Sequence, residues 1–466
     1  MQRIAGSFRD PSGHVFNSND SIFRTINPTA SKNYEAFRSS SVVSLLQERG
    51  DLIEFEEVPS TDWPEQAAGA SYLLRHPKLP YISYPYEWSF SQLKSAALLH
   101  LSIQLRLLKD NLVLSDASAY NVQFIGHSPI FIDILSIRMY QDGEYWGAHR
   151  QFCEQFLNPL LLRSLLGVAH NSWFRGALEG IPTADLAKLI PTRKKLSIKL
   201  FMHVLMQAKF EQRAIQNPDT ALAEVKSGRK LNKAGYQGLL QQMHNWISRL
   251  EPAGSKNTVW GTYANANTYS SDESQKKREI IAEFAEKHRP NMLVDVGCNS
   301  GDFSIAAIKG GAKYVVGFDF DQTALEVAFA RSRSDALPYL PLWLDASNPS
   351  PSQGWLQTER QGFGKRTRAD AMIALAFEHH LAIAKNVPLD QVLSWLTSMA
   401  PVGIIEFVPK EDPTVRKMLS LREDIFPDYT VDEFDNQLSR VSKITDRKVI
   451  SSSGRTLFFY DRTVLQ

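Results

Sequence analysis

Asp295, Asp319 and Asp345 each close a short apolar run: Met292-Leu293-Val294, Tyr314-Val315-Val316-Gly317-Phe318 and Leu342-Trp343-Leu344. The first acid leads into Val296-Gly297-Cys298-Asn299-Ser300-Gly301-Asp302, and Phe303, Ile305, Ala306, Ala307 and Ile308 then start a helix-compatible segment. A strand, a tight turn and a helix N-terminus let backbone N–H groups meet the polar end of a ligand. The pyrophosphate pattern Gly-x-Gly-x-x-Gly would need glycine at 299 and 302, where Asn299 and Asp302 stand, so the ligand need not carry phosphates. Asp319 follows the turn by about 20 residues, the distance at which a strand-end carboxylate accepts both hydroxyls of a ribose.

A second group is Glu378-His379-His380, directly after the apolar run Ala371-Met372-Ile373-Ala374-Leu375-Ala376-Phe377. Ligands of a doubly wound sheet bind beyond the carboxyl ends of its strands, so these three side chains project toward the reacting group. A histidine near neutral pKa suits a base that removes a hydroxyl proton. Adjacent histidines do not aim at one point, and no His-Glu-x-x-His or cysteine pair supports zinc; no metal is expected. Upstream, Trp260, Tyr263 and Tyr269 lie among small and amide residues, a poor helix and a plausible lid. A third group is Asp116, Asn121 five residues on, and Asp133 twelve after that, at the end of Pro129-Ile130-Phe131-Ile132.

These groups need elements to hold them. The runs at 292–296, 314–319, 342–344, 371–377 and 401–409 read as strands separated by helical stretches such as 274–288 and 388–400, a doubly wound α/β pattern. Val449-Ile450 and Thr456-Leu457-Phe458-Phe459-Tyr460 suit a closing antiparallel pair. The first half is helical. Over 91–109, Leu93, Ala97, Leu101, Leu105 and Leu108 recur at spacings of three and four. Tyr34 to Val58 also reads as a helix, and Pro159 divides the run from Ala148 to Leu166. We therefore expect a loosely packed, Ser/Asn/Pro-rich lead-in at 1–35, a helix-rich domain at 36–251, a linker at 252–257 and an α/β domain at 258–466.

Composition narrows the function classes. A formal net charge of +2 gives no global field for nucleic acid, so none is expected as partner. Two cysteines, Cys153 and Cys298, make a disulfide framework improbable and fit a reducing cytoplasm. No signal-like apolar core opens the chain and no run approaches about 18 apolar residues, so no membrane span is expected.

The three strand-end acids with the glycine turn resemble the class I S-adenosylmethionine-dependent methyltransferases. The resemblance implies a Rossmann-like, mostly parallel sheet with an antiparallel closing strand, and S-adenosyl-L-methionine as cofactor. It implies that Asp295, Gly297, Cys298, Asn299, Ser300 and Gly301 hold the methionine end, Asp319 and Phe320 the ribose, and Asp345 and Ala346 the adenine. Asn299 stands where that family often has glycine. His379, His380 and Glu378 become the catalytic candidates, with Trp260, Tyr263 and Tyr269 over the acceptor pocket. Asp116, Asn121 and Asp133 resemble the catalytic and magnesium-binding segments of the protein-kinase and aminoglycoside-phosphotransferase fold. Ser115 and the Ile134-Leu135 that follows Asp133 depart from that pattern, which implies a kinase-like, inactive scaffold. Over the whole chain, Ser83-Tyr84-Pro85-Tyr86-Glu87-Trp88, Asp116-Ala117-Ser118-Ala119-Tyr120-Asn121, Asn348-Pro349-Ser350-Pro351, Glu378-His379-His380-Leu381 and Glu406-Phe407-Val408-Pro409 are similar to the bacterial NoeA-like nodulation methyltransferases. The expected activity is O- or N-methylation of a small-molecule or glycan acceptor by in-line transfer. The alternatives are a kinase–methyltransferase or phosphotransferase acting on a glycan end, and a cofactor-binding adaptor without catalysis.

Overall fold

The computed structural model describes residues 2–18, 20–216, 231–253, 271–420 and 422–463. The chain divides into two compact units. Unit 1 comprises Met1–Phe124, Pro129–Asn257 and Gln353–Arg360; unit 2 comprises Ile125–Ser128, Thr258–Ser352 and Gln361–Gln466. The division falls at the end of the expected linker, of which 254–257 lie outside the described residues.

Unit 1 begins with an antiparallel sheet in the order β1-β2-β3-β5-β4, from β1 (Gln2–Arg3), β2 (Val15–Asn17), β3 (Ser21–Ile26), β4 (Glu56–Glu57) and β5 (Tyr72–Pro77). This corrects the expected loose lead-in. Phe16 and Ile26 are buried, and β3 pairs along its length with β5, from Ser21 opposite Pro77 to Ile26 opposite Tyr72. Strands of two to six residues are too short for their alternation to stand out. β1 to β3 pair with one another locally, but the edge of β3 is completed by β5, about fifty residues on, which local pattern cannot reveal.

The single helix expected from 34 to 58 is two, Pro28–Arg38 and Val42–Glu48, separated at the serines Ser39, Ser40 and Ser41. Ser39 Oγ donates back to Glu35 O, in the way that short hydroxyl side chains compete with helix continuation, while Ser40 Oγ donates to Asp110 Oδ2, 70 residues on. The helix Phe90–Lys109 agrees with its periodicity. It starts at a reciprocal cap in which Ser89 Oγ accepts the Gln92 N–H and Gln92 Oε1 accepts the Ser89 N–H, and Leu93, Ala97, Leu101 and Leu108 are buried. Pro159 acts as expected: the chain passes through a π-helical turn at Cys153–Leu157 before resuming as Asn158–Leu166. After β6 (Leu112–Leu114), β7 (Val122–Ile125), β8 (Ser128–Phe131) and β9 (Ile137–Met139), unit 1 continues mainly in helices.

Unit 2 is built on a seven-stranded sheet in the order β12-β11-β10-β13-β14-β16-β15. Its strands are β10 (Leu293–Val296), β11 (Val315–Asp319), β12 (Tyr339–Trp343), β13 (Ala371–Ala374), β14 (Val402–Phe407), β15 (Lys443–Val449) and β16 (Thr456–Asp461). The first five are parallel, and β16 runs antiparallel between β14 and β15. This is the mixed, Rossmann-like sheet of the class I methyltransferase fold. β10 to β14 are buried almost throughout because helices cover both faces, which is why they read as unbroken apolar runs. The order reverses at β10, with β11 on one side and β13 on the other. The carboxyl ends of those strands open on a crevice there.

Candidate functional site

The glycine turn after β10 follows from backbone angles its residues can adopt. Gly297 and Gly301 have φ of +83° and +85°. A Cβ at Gly297 would lie 2.9 Å from the Phe377 ring, and one at Gly301 2.7 Å from the Tyr339 ring, so both positions exclude a side chain twice over. Asn299 is also left-handed, at φ +48°, a conformation that Asn tolerates better than most residues. Its Oδ1 accepts the Ser300 N–H at 2.7 Å, so the turn keeps its shape without a third glycine.

The middle of the turn is tied to the second acid, whose other oxygen is held by its own loop. Asp319 Oδ2 accepts the Asn299 N–H and Oδ1 the Asp321 N–H, each at 2.8 Å. Burial raises the Asp319 pKa, and these backbone donors work against that rise. Asp345 is held by the backbone N–H of Ser347 at 3.1 Å and its hydroxyl at 2.6 Å. Phe320 is 65% exposed and packs at 5.9 Å from Trp343 at the same strand ends.

These groups line a cleft of about 610 Å³. Of the residues expected to hold the cofactor, Gly297, Cys298, Asn299, Asp319, Phe320, Asp345 and Ala346 are on its wall, and Asp295, Ser300 and Gly301 are not. Asp295 is 1% exposed, its Oδ2 accepting from Ser304 Oγ at 2.6 Å, and burial pushes its pKa up to about 7. Its place is beneath the turn, because the last residue of β10 to face the crevice is Val296. Trp260, Tyr263 and Tyr269 lie outside the described residues.

At the far end of the cleft, His379 and His380 start the helix Glu378–Ala382 after β13. Their rings stack at 4.3 Å; His380 is exposed and His379 is 1% exposed. Glu378 does not reach the cleft wall. It is fully buried, and its Oε1 accepts from Tyr429 Oη at 2.6 Å and the Val408 N–H at 3.0 Å. Burial would raise its pKa, but the nearby His379 and the donors Tyr429 and Val408 outweigh that and hold it below the usual value.

Sequence reading missed the polar groups behind the cleft. Lys277 Nζ meets Glu406 Oε2 at 2.6 Å, both fully buried, and Arg455 grips Asp412 through Nε and Nη2 at 2.7 and 2.9 Å. Arg455, Arg278, Ser274 and Thr414 line the cleft. One signal was present: a glutamate inside Gly403-Ile404-Ile405-Glu406-Phe407, an otherwise apolar strand, has to find a cation. Arg455 had none.

In unit 1, Asp116, Asn121 and Asp133 do come together. Asn121 Nδ2 donates to Asp116 Oδ2 at 2.8 Å and lies 3.3 Å from Asp133 Oδ2, while Arg24 of β3 forms an ion pair with Asp133. Burial raises the Asp116 pKa. No group of three or more His, Cys, Asp or Glu placed to hold a metal occurs among the described residues.

Comparison with known proteins covers both units. The chain is 49% identical over 461 residues to nodulation protein NoeA of Rhizobium meliloti (strain 1021), spanning 99% of this chain and 96% of that protein. Residues 279–337, the helix before β10 through the helix after β11, match the ribosomal protein L11 methyltransferase (PrmA) family. The L11 methyltransferase of Shewanella frigidimarina (strain NCIMB 400) is 42% identical over 62 residues, 13% of this chain and 21% of that one. Among solved structures, magnesium protoporphyrin IX methyltransferase from Synechocystis PCC 6803 aligns with 41% of this chain and 84% of its own, at 17% identity and a TM-score of 0.30. WbdD aligns with 44% of each chain, at 17% identity and a TM-score of 0.33. None of these similarities supports a kinase-like unit 1.

Proposed function

The chain belongs to the NoeA family of nodulation proteins, and we propose that it is an S-adenosylmethionine-dependent methyltransferase acting on a small-molecule or glycan acceptor. One observation carries the reading: beside the switch point of the sheet the glycine turn is bonded to Asp319 at the end of the neighbouring strand, within a cleft that also presents Asp345 and Phe320. The residues fit the cofactor chemically. Asp319 offers a strand-end carboxylate to the ribose hydroxyls, Phe320 and Leu344 offer apolar surface to the adenine, and Asn299 and Asp302 offer polar groups to the methionine end. The bound sulfonium supplies an electrophilic methyl group.

The chain's own residues position the acceptor and manage its proton. Leu375, Phe377 and Leu381 give the acceptor end of the cleft apolar walls, while His379 and His380 bring imidazoles to it. Holding the acceptor in line with the methyl group replaces a bimolecular encounter with a preset approach. For unit 1 we propose acceptor binding without phosphoryl transfer, because Arg24 already compensates Asp133 and Asn121 engages both acids.

Calorimetry with S-adenosylmethionine, S-adenosylhomocysteine, ATP and NAD tests the assignment. Binding of the two adenosyl ligands and neither nucleotide is expected. Asp319→Ala should weaken S-adenosylhomocysteine at least tenfold, about 1.4 kcal/mol; an unchanged affinity removes Asp319 from the site.

A further inference from the structure

The buried carboxylate behind the cleft selects which of the two histidines can act. His379 Nδ1 lies 3.5 Å from Glu378 Oε2, within ion-pair but not hydrogen-bond geometry; Glu378 Oε2 and both nitrogens of His379 are buried without a hydrogen-bond partner among the described residues, and the ring belongs to the cleft lining. Glu378 is fixed from its other side. Oε1 takes the Val408 N–H and faces Tyr429 Oη, which is itself 2.9 Å from the Val408 carbonyl. A carboxylate only accepts, so its free oxygen calls for a proton on Nδ1, which leaves the lone pair on the buried Nε2. His380 is exposed, and among the described residues it forms no ion pair with a carboxylate, Glu378 acting on it only as a more distant charge.

We propose that Tyr429, Glu378 and His379 form an oriented base, with His379 Nε2 as the proton acceptor and Glu378 and Tyr429 as positioning residues, and that the methyl acceptor is therefore a hydroxyl compound. This rests on the methyltransferase reading. A neutral amine attacks with its own lone pair and sheds its proton afterwards, whereas a hydroxyl needs its proton taken as it attacks. The acceptor O–H bond breaks, its proton passes to His379 Nε2, and the oxygen keeps the electron pair. That pair forms the O–CH3 bond as the S–CH3 bond breaks, leaving a neutral thioether. The imidazolium on His379 is compensated by the Glu378 carboxylate.

Glu378→Gln discriminates, because the surrounding donors dictate which way the amide points. The Val408 N–H and Tyr429 hydroxyl keep the amide oxygen at the Oε1 position, so the NH2 takes the Oε2 position and faces Nδ1. Nδ1 must then accept, the ring proton moves to Nε2, and Nε2 can no longer take a proton; the same wrong-tautomer logic is known from the Asp-to-Asn change of serine proteases. Protein labelled with 15N in its histidine rings and saturated with S-adenosylhomocysteine at pH 8.5 reports this directly, with His379→Gln assigning the signals. The wild type is expected as the Nδ1–H tautomer. In Glu378→Gln the bare and protonated nitrogen signals exchange places while S-adenosylhomocysteine affinity stays within twofold, and His380→Gln leaves the His379 tautomer as it was. Wild-type His379 found as Nε2–H overturns the proposal even if the glutamine variant does not fold, and so does an unchanged tautomer in that variant. Failure of the wild type to bind S-adenosylhomocysteine sinks the methyltransferase reading instead.

Discussion

Asp295 and Asp319 are acids of the same sequence type with different surroundings. Asp319 stands on the cleft wall with one oxygen held by the Asn299 N–H of the turn and the other by the Asp321 N–H of its own loop; Asp295 is buried on a serine hydroxyl. Burial moves the Asp295 pKa from 3.8 to about 7. The folded state therefore holds a proton there that the unfolded chain releases, so this acid's contribution is full below about pH 4 and is lost as pH rises toward 7. Asp295→Asn should remove that dependence. The thermal midpoint of the variant minus that of the wild type should increase between about pH 4 and pH 7 and level off above. A difference that stays flat across that window would place the Asp295 carboxyl in contact with solvent or a cation.

At the scale of elements, the helix Ser271–His288 and strand β14 are joined through Lys277 and Glu406, both fully buried. Desolvation makes such a pair a poor source of net stability, but removing one partner strands the other charge. Lys277→Met should lower the stability of unit 2 by about 3 kcal/mol, read from urea denaturation. Arg455 Nη1, 3.6 Å from Glu406 Oε1, limits the loss. The double variant Lys277→Met with Glu406→Leu should recover most of it. If the double variant is no better than the single one, the pair is needed for packing and not merely for charge balance.

Over the whole molecule, two units with separate cores divide the chain near residue 257, and S-adenosyl chemistry is proposed for the second alone. The prediction for the first is the absence of nucleotide chemistry. Titration of ATP with magnesium should give no heat, in the wild type or in Asp133→Ala. Heat that appears in the wild type and vanishes in Asp133→Ala would revive a phosphotransferase in unit 1.

The sequence by itself determined the sheet of unit 2 and the cleft face of its turn. Strands covered on both sides must be apolar throughout, so Leu293–Val296, Val315–Asp319 and Val402–Phe407 declare themselves. Left-handed turns need glycine or asparagine, so Gly297, Asn299 and Gly301 do too. The short strands β1 to β3 did not, because two to six residues leave little alternation to read and the outer edge of β3 is completed by the distant β5. Only the tertiary structure decided that Asp295 is withdrawn while Asp319 lines the cleft, and that Tyr429, 51 residues away, sits on Glu378. Hydrophobic periodicity records which face of an element is buried. It carries no information about which polar group, brought in by a distant segment, will meet a buried charge, and that meeting sets what the charge can do.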